Sequence, residues 1–156
     1  MIDELYSARI LKLAGNLPHS GRLAAPEGTG ERVAKLCGSK AVVDVALDGT
    51  GRISAFAQDV KACALGQAAA GVLGEAVIGA SLDELVSARD AMTAMLKAGG
   101  EGPTGRFEGL RALKQVADYP ARHASTMVAV EATLDAVRAA LSRKSPDTRT
   151  SLAGAA

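Results

Sequence analysis

Residues Lys40–Gln58 read KAVVDVALDGTGRISAFAQ. From Lys40 to Leu47 the chain alternates, with Val43, Val45 and Leu47 on one side and Val42 and Asp44 on the other. That two-residue period is the pattern of a strand. Asp48-Gly49-Thr50-Gly51 is a turn, and Arg52–Gln58 alternates again, Ile53, Ala55 and Ala57 opposite Ser54, Phe56 and Gln58. Two alternating runs about a turn that begins Asp-Gly predict a β-hairpin. The rest of the fold has to be placed around this antiparallel pair.

Beyond Ala64 the period changes to that of helices. Leu65, Ala68, Ala69, Val72, Leu73, Ala76 and Val77 form one broad apolar face, which ends near Gly79. Ser81-Leu82-Asp83-Glu84 is a capping box opening a helix that runs to about Ala98. Gly99–Gly105 is a loop, Phe107–Val116 a shorter helix, and Pro120 a break. A last helix runs from about Ala121 to Ser142, with Met127, Val130, Leu134, Val137 and Leu141 on its buried face. Before the hairpin, Ile2, Leu5, Tyr6, Ile10 and Leu13 mark a first helix, ended by Gly15, Asn16 and Pro18. Residues 15–30 are rich in breakers and are expected to be irregular, with a short strand near Arg22–Ala25. The expected architecture is α+β, a small antiparallel sheet packed on one face by helices. Residues 1–142 read as one domain and residues 143–156 as a disordered tail.

The composition fits such a domain. Of 156 residues, 48% are hydrophobic and 22% charged, enough for a core and a soluble surface. The core has to be made mainly of aliphatic residues, because aromatics are 3% of the chain and Trp is absent, while Gly contributes 17 residues. Such small side chains pack well only where elements approach closely. Eighteen basic and 17 acidic residues leave a net charge of +1. No field of one sign exists to hold nucleic acid or a lipid surface. No apolar run is long enough to span a membrane. The opening MIDELYSARI is acidic and amphipathic, unlike a secretory signal, so a cytoplasmic location is expected.

The chain has two cysteines, Cys37 and Cys63, and two histidines, His19 and His123. Two cysteines exclude a disulfide framework and a four-thiolate site within one chain. A free cysteine is often just a small buried hydrophobe, but both of these fall at junctions between elements. Cys37 precedes the first strand of the hairpin, beside Gly38. Cys63 opens a helix two residues after Lys61, where the helix dipole and the lysine both favour thiolate. His123 stands at the start of the last helix, His19 in a loop, and Ser125 and Thr126 are able to cap or back-bond that helix. Gly28-Thr29-Gly30 lacks the third glycine of a dinucleotide fingerprint.

Three stretches together carry a resemblance: Leu36-Cys37-Gly38-Ser39 before a strand, Val60-Lys61-Ala62-Cys63-Ala64-Leu65-Gly66-Gln67-Ala68 opening a helix, and Asp118-Tyr119-Pro120-Ala121-Arg122-His123-Ala124-Ser125-Thr126 opening the last one. In this order and at these junctions, they resemble the iron–sulfur cluster assembly scaffolds of the NifU N-terminal/IscU/SufU family, over about residues 1–142. The long interval between the second and third stretches is similar to the SufU-type branch. The resemblance implies the family's α+β fold and a scaffold or carrier rather than an enzyme. Such a protein accepts sulfur from a cysteine desulfurase, takes iron, and passes a labile cluster, 2Fe–2S by expectation, to acceptor apoproteins. It also implies a site. The family's first two cysteines fall on Cys37 and Cys63, its aspartate on Ser39 and its third cysteine on Ser125. His123, two residues before Ser125, is a candidate third metal ligand with Cys37 and Cys63, and Asp59 a weaker one. Zinc is the alternative cargo. A zinc- or His-assisted sulfur-transfer partner of the desulfurase and a non-metal adaptor of the same pathway are the alternative functions.

Overall fold

A computed structural model of the chain describes residues 8–15, 17–36 and 38–144. Three antiparallel strands, β1 (Gly28–Ala34), β2 (Ser39–Leu47) and β3 (Ile53–Lys61), form a sheet in that order. The helices are α1 (Ala8–Gly15), α2 (Ala64–Ala76), α3 (Leu82–Ala98) and α4 (His123–Lys144). The hairpin read from the sequence is β2–β3, and the fold class is the α+β arrangement expected.

Register decides which side chains share a face. Val45 lies opposite Phe56, Val43 opposite Gln58 and Ala41 opposite Val60, and on the other side these β2 residues meet Gly28, Gly30 and Arg32 of β1. This face is covered by helices, with α4 lying across β1 and β2. The register shifts at Ala46/Leu47, so that Leu47 pairs with Ile53. The shift brings Ile53 to the same face as Phe56, although simple alternation places them on opposite faces. Both are buried.

β1 is where the structure departs most from the expected layout. The irregular stretch is shorter than residues 15–30, and the strand lies at Gly28–Ala34 rather than near Arg22–Ala25. Its inner residues, Gly28 and Gly30, have no side chain to pack. They let α4 sit directly on the strand backbone: a Cβ on Gly28 would collide with the carbonyl of Ala136, and one on Gly30 with that of Ala132. Ala132, Ala136 and Ala140 recur every four residues along α4, so one helix stripe carries nothing larger than a methyl group against β1. Arg32 fastens the same contact at its edge through a two-toothed bond to Asp135, at 2.6 and 3.2 Å.

The chain before β1 pairs with the edge of β3 through a bridge between Ser20 and Gln58, and from Arg22 it is pinned to the outer face of the sheet by Asp44. That carboxylate accepts from Arg22 Nε (2.6 Å) and Nη2 (3.1 Å), from Thr29 Oγ1 (2.6 Å) and from the Leu23 N–H (3.0 Å). Its side chain is completely buried. Burial pushes the Asp44 carboxyl up, but the bonds from Arg22, Thr29 and Leu23 outweigh it and hold the group below the usual carboxylate range.

The helical layer carries most of the core, with Leu65, Leu73, Leu85, Met92, Met95 and Leu134 all fully buried. Each such side chain contributes about 1.5–3 kcal/mol of burial. α3 starts as read: Ser81 Oγ accepts from the Glu84 N–H (3.2 Å) and Glu84 Oε1 from the Ser81 N–H (3.1 Å). Ser81→Ala is expected to lower stability by about 1 kcal/mol, read as a lower urea midpoint with unchanged slope. The expected helix at Phe107–Val116 is instead a tighter 3-10 segment spanning Gly105–Asp118, with Phe107 off helical geometry. It buries Phe107, Leu110, Leu113 and Val116 at three-residue spacing, which suits a three-residue turn. α4 runs to Lys144, slightly past the expected end. The first part of the expected N-terminal helix, Cys37, and the expected tail from residue 145 onward lie outside the described residues. No helix among the described residues is long and apolar enough to cross a membrane.

Candidate functional site, a thiol groove between sheet and helix starts

Cys63 ends the link from β3 and is the N-cap of α2, with extended backbone (φ −66°, ψ 171°). An N-cap residue leaves its side chain outside the helix barrel, so the thiol is only partly covered. It opens into a shallow groove of about 500 Å³ lined by Gly38, Ser39, Lys61, Gln67 and Arg122 among others. Ser39, the buried first residue of β2, brings the start of the hairpin to the same groove. Gln67, four residues after Cys63 and so on the same helix face, donates Nε2 to the carbonyl of Val60 at 2.9 Å. That bond ties the end of β3 to the first turn of α2.

The start of α4 forms the floor. Ser125 is fully buried, and its Oγ lies 3.3 Å from Cys63 Sγ and 3.2 Å from the carbonyl of Arg122, to which it donates. This approach depends on Gly66: a Cβ there would stand 2.8 Å from the carbonyl of Ser125 and 2.7 Å from Ala62 Cβ. With a hydrogen in its place, the first turns of α2 and α4 touch. The structure thus joins Cys63 and Ser125 directly and places Ser39 in the same groove.

His123 is placed elsewhere. Its Nε2 carries the proton and donates to the carbonyls of Val116 (2.9 Å) and Ala117 (3.2 Å), the last turn of the 3-10 segment. The ring lines a different cavity, of about 760 Å³, with Leu96, Lys97 and Met127. Asp59 projects from the outer sheet face beside Lys40 and Val42. His19 sets its ring edge-on to Phe56, with centroids 5.9 Å apart. Among the described residues no three His, Cys, Asp or Glu side chains gather into a metal-binding group.

Sequence reasoning passed over Gly66, Gln67 and Arg122 as parts of the site. The signal for Gln67 is its four-residue spacing from the thiol. For Arg122 it is the position one turn before Ser125. Arg122 brings a positive charge to the groove, Lys61 lines both it and the outer-face pocket of Asp59, and no carboxylate among the described residues lines the groove.

The structure is therefore that of an α+β domain presenting a thiol where strand ends and two helix starts meet. The family of the NifU-like N terminal domain matches residues 5–126, and the chain belongs to that family. Its fold is similar to that of a nitrogen-fixing NifU-like protein (N-terminal) from Brucella abortus, with 46% identity and a TM-score of 0.86, covering 90% of this chain and 96% of that one. It is also similar to the structure named as an iron–sulfur cluster assembly scaffold protein for the SUF system from Fervidobacterium islandicum, with 20% identity and a TM-score of 0.77, covering 85% and 96%. A third structure, of a hypothetical protein, has 23% identity and a TM-score of 0.73, covering 86% and 97%. At those lower identities the likeness is one of fold. No curated protein matches the chain.

Proposed function

We propose that this protein is a scaffold or carrier in iron–sulfur cluster assembly. It receives sulfur from a cysteine desulfurase on Cys63 and Cys37, combines it with iron, and passes a labile cluster, of 2Fe–2S type, to acceptor apoproteins. The observation that carries this reading is the Cys63 thiol, open to a groove at the junction of β3 and α2 in a NifU-like fold. Family membership supports the role in cluster assembly. The cluster is cargo, and few thiolates hold it, so an acceptor offering more of them outcompetes the groove. Ser39 and Ser125 shape the pocket around the sulfur rather than supply soft ligands. His123 holds the last turn of the 3-10 segment against α4. Reduced thiols are required, which suits a cytoplasmic setting.

The test is anaerobic reconstitution with ferrous iron, cysteine and a desulfurase, followed by measurement of iron and acid-labile sulfide. Wild type is expected to develop visible cluster absorbance and to lose it to an apoprotein with four cysteines. The Cys37→Ala, Cys63→Ala double variant is expected to develop none. Equal absorbance from wild type and the double variant defeats the proposal.

A further inference from the structure

We propose that Ser125 is the specificity-determining residue of the groove: it holds the Cys63 sulfur for group transfer and keeps the site from retaining a bare divalent metal ion. This rests on the scaffold reading above and concerns the order in which its cargo arrives, sulfur before metal.

The first argument is a donor count. A tightly held zinc needs three or four protein ligands. The whole chain has two cysteines and two histidines. Both imidazoles lie away from the groove, His123 donating to Val116 and Ala117 and His19 against Phe56. Asp59 is on the other face of the sheet. The atom touching Cys63 is a serine hydroxyl, a poor ligand for zinc or ferrous iron unless deprotonated. Arg122 also lines the groove, and its cation opposes a free dication while favouring anionic sulfur.

The second argument is a proton count. Ser125 has one hydroxyl proton and two neighbours that accept it, the Arg122 carbonyl and Cys63 Sγ. Thr126 Oγ1 already donates to the same Arg122 carbonyl at 2.8 Å. Ser125 is thus free to turn its proton to sulfur without leaving that carbonyl unpaired. It is fully buried, so water does not compete for its hydroxyl proton. The Cys63 thiolate attacks the outer sulfur of a persulfide on a donor. One S–S bond forms as the donor's S–S bond breaks, the donor cysteine leaves as thiolate, and Cys63 becomes the inner sulfur of the new persulfide. No oxidant or reductant is consumed. The Ser125 hydroxyl then donates to that inner sulfur.

The experiment compares full-length wild type, Ser125→Ala and Ser125→Cys, purified without oxygen and checked for native circular dichroism. Each is exposed to micromolar zinc, then assayed for metal, and separately to glutathione persulfide, then mapped by peptide mass spectrometry. Wild type is expected to gain one sulfur atom on Cys63 and to keep under about a tenth of a zinc per chain. Ser125→Cys is expected to keep about one zinc per chain. Ser125→Ala is expected to take up sulfur but lose it about three- to tenfold faster than wild type. About one zinc per wild-type chain, no extra zinc on Ser125→Cys, or equal sulfur retention by Ser125→Ala overturns the proposal. If Ser125→Cys does not fold, the wild-type zinc measurement and the Ser125→Ala lifetime still decide it. If these results hold while reconstitution yields no cluster, the scaffold reading falls and the role of Ser125 stands.

Discussion

Gly30→Ala is expected to lower the stability of the protein by about 3 kcal/mol, a large part of the total for a domain of this size. The added methyl group has no room. It would meet the Ala132 carbonyl and stand 2.7 Å from the Ala136 amide nitrogen, and both are backbone atoms of α4 that no rotamer change moves aside. Relief requires α4 to lift off β1, which opens space beside Val43 and Val45 and strains the Arg32–Asp135 bond. The check is a urea unfolding curve beside that of Gly49→Ala, where a Cβ meets nothing within 4 Å. The control is expected to stay within about 0.5 kcal/mol of wild type. A Gly30→Ala midpoint equal to that of the control shows that α4 does not need the close approach.

Asp44→Asn is expected to cost about 2–3 kcal/mol at neutral pH. The amide keeps the shape but turns a donor toward the groups that now donate to carboxylate, Arg22, Thr29 and the Leu23 N–H. Arg22 is half-exposed, and this keeps the figure below that of a fully buried ion pair. The pH dependence follows from the depressed carboxyl. Stability from a carboxylate whose folded-state pKa is depressed is fully present above its unfolded value. It is lost as the pH falls through the folded one. The gap between wild type and Asp44→Asn is therefore expected to be widest above about pH 5 and to narrow steadily in stronger acid. Asp48, held below its usual range by Thr50 and the Arg52 N–H, retains its own acid dependence in both proteins. So does Glu84, where burial pushes up but the Ser81 N–H and Arg106 outweigh it. Unfolding midpoints from pH 7 to pH 3 measure the effect, and a gap that does not change with pH removes Asp44 as its source.

The elements legible in the sequence are those whose own residues state their period. Val43, Val45 and Leu47 alternate, and the capping box at Ser81 and Glu84 marks the start of α3. β1 was not legible. Gly28 and Gly30 have low strand preference, and the strand exists because β2 supplies its hydrogen bonds and α4 covers its bare face. The Phe107–Val116 region carries apolar residues at a spacing that fits a loose α-helix and a 3-10 turn alike. Packing against α2 and α3 selects the tighter form.

At the site the division is similar. The sequence by itself determined the family, the α+β class, and the small number of soft donors, because motifs and counts survive without coordinates. It also marked Cys63 as a thiol at a helix start. Only the tertiary structure decided which partner that thiol meets. His123 and Ser125 are two residues apart, yet one helix turn sends the imidazole to the 3-10 carbonyls and the hydroxyl to Cys63 Sγ. The physical reason is helical rotation of about 100° per residue. Two residues apart means nearly opposite faces, and which face meets the groove depends on how α4 is seated. That seating is set by glycines at positions 28, 30 and 66, whose contribution is the absence of a side chain where another backbone must pass.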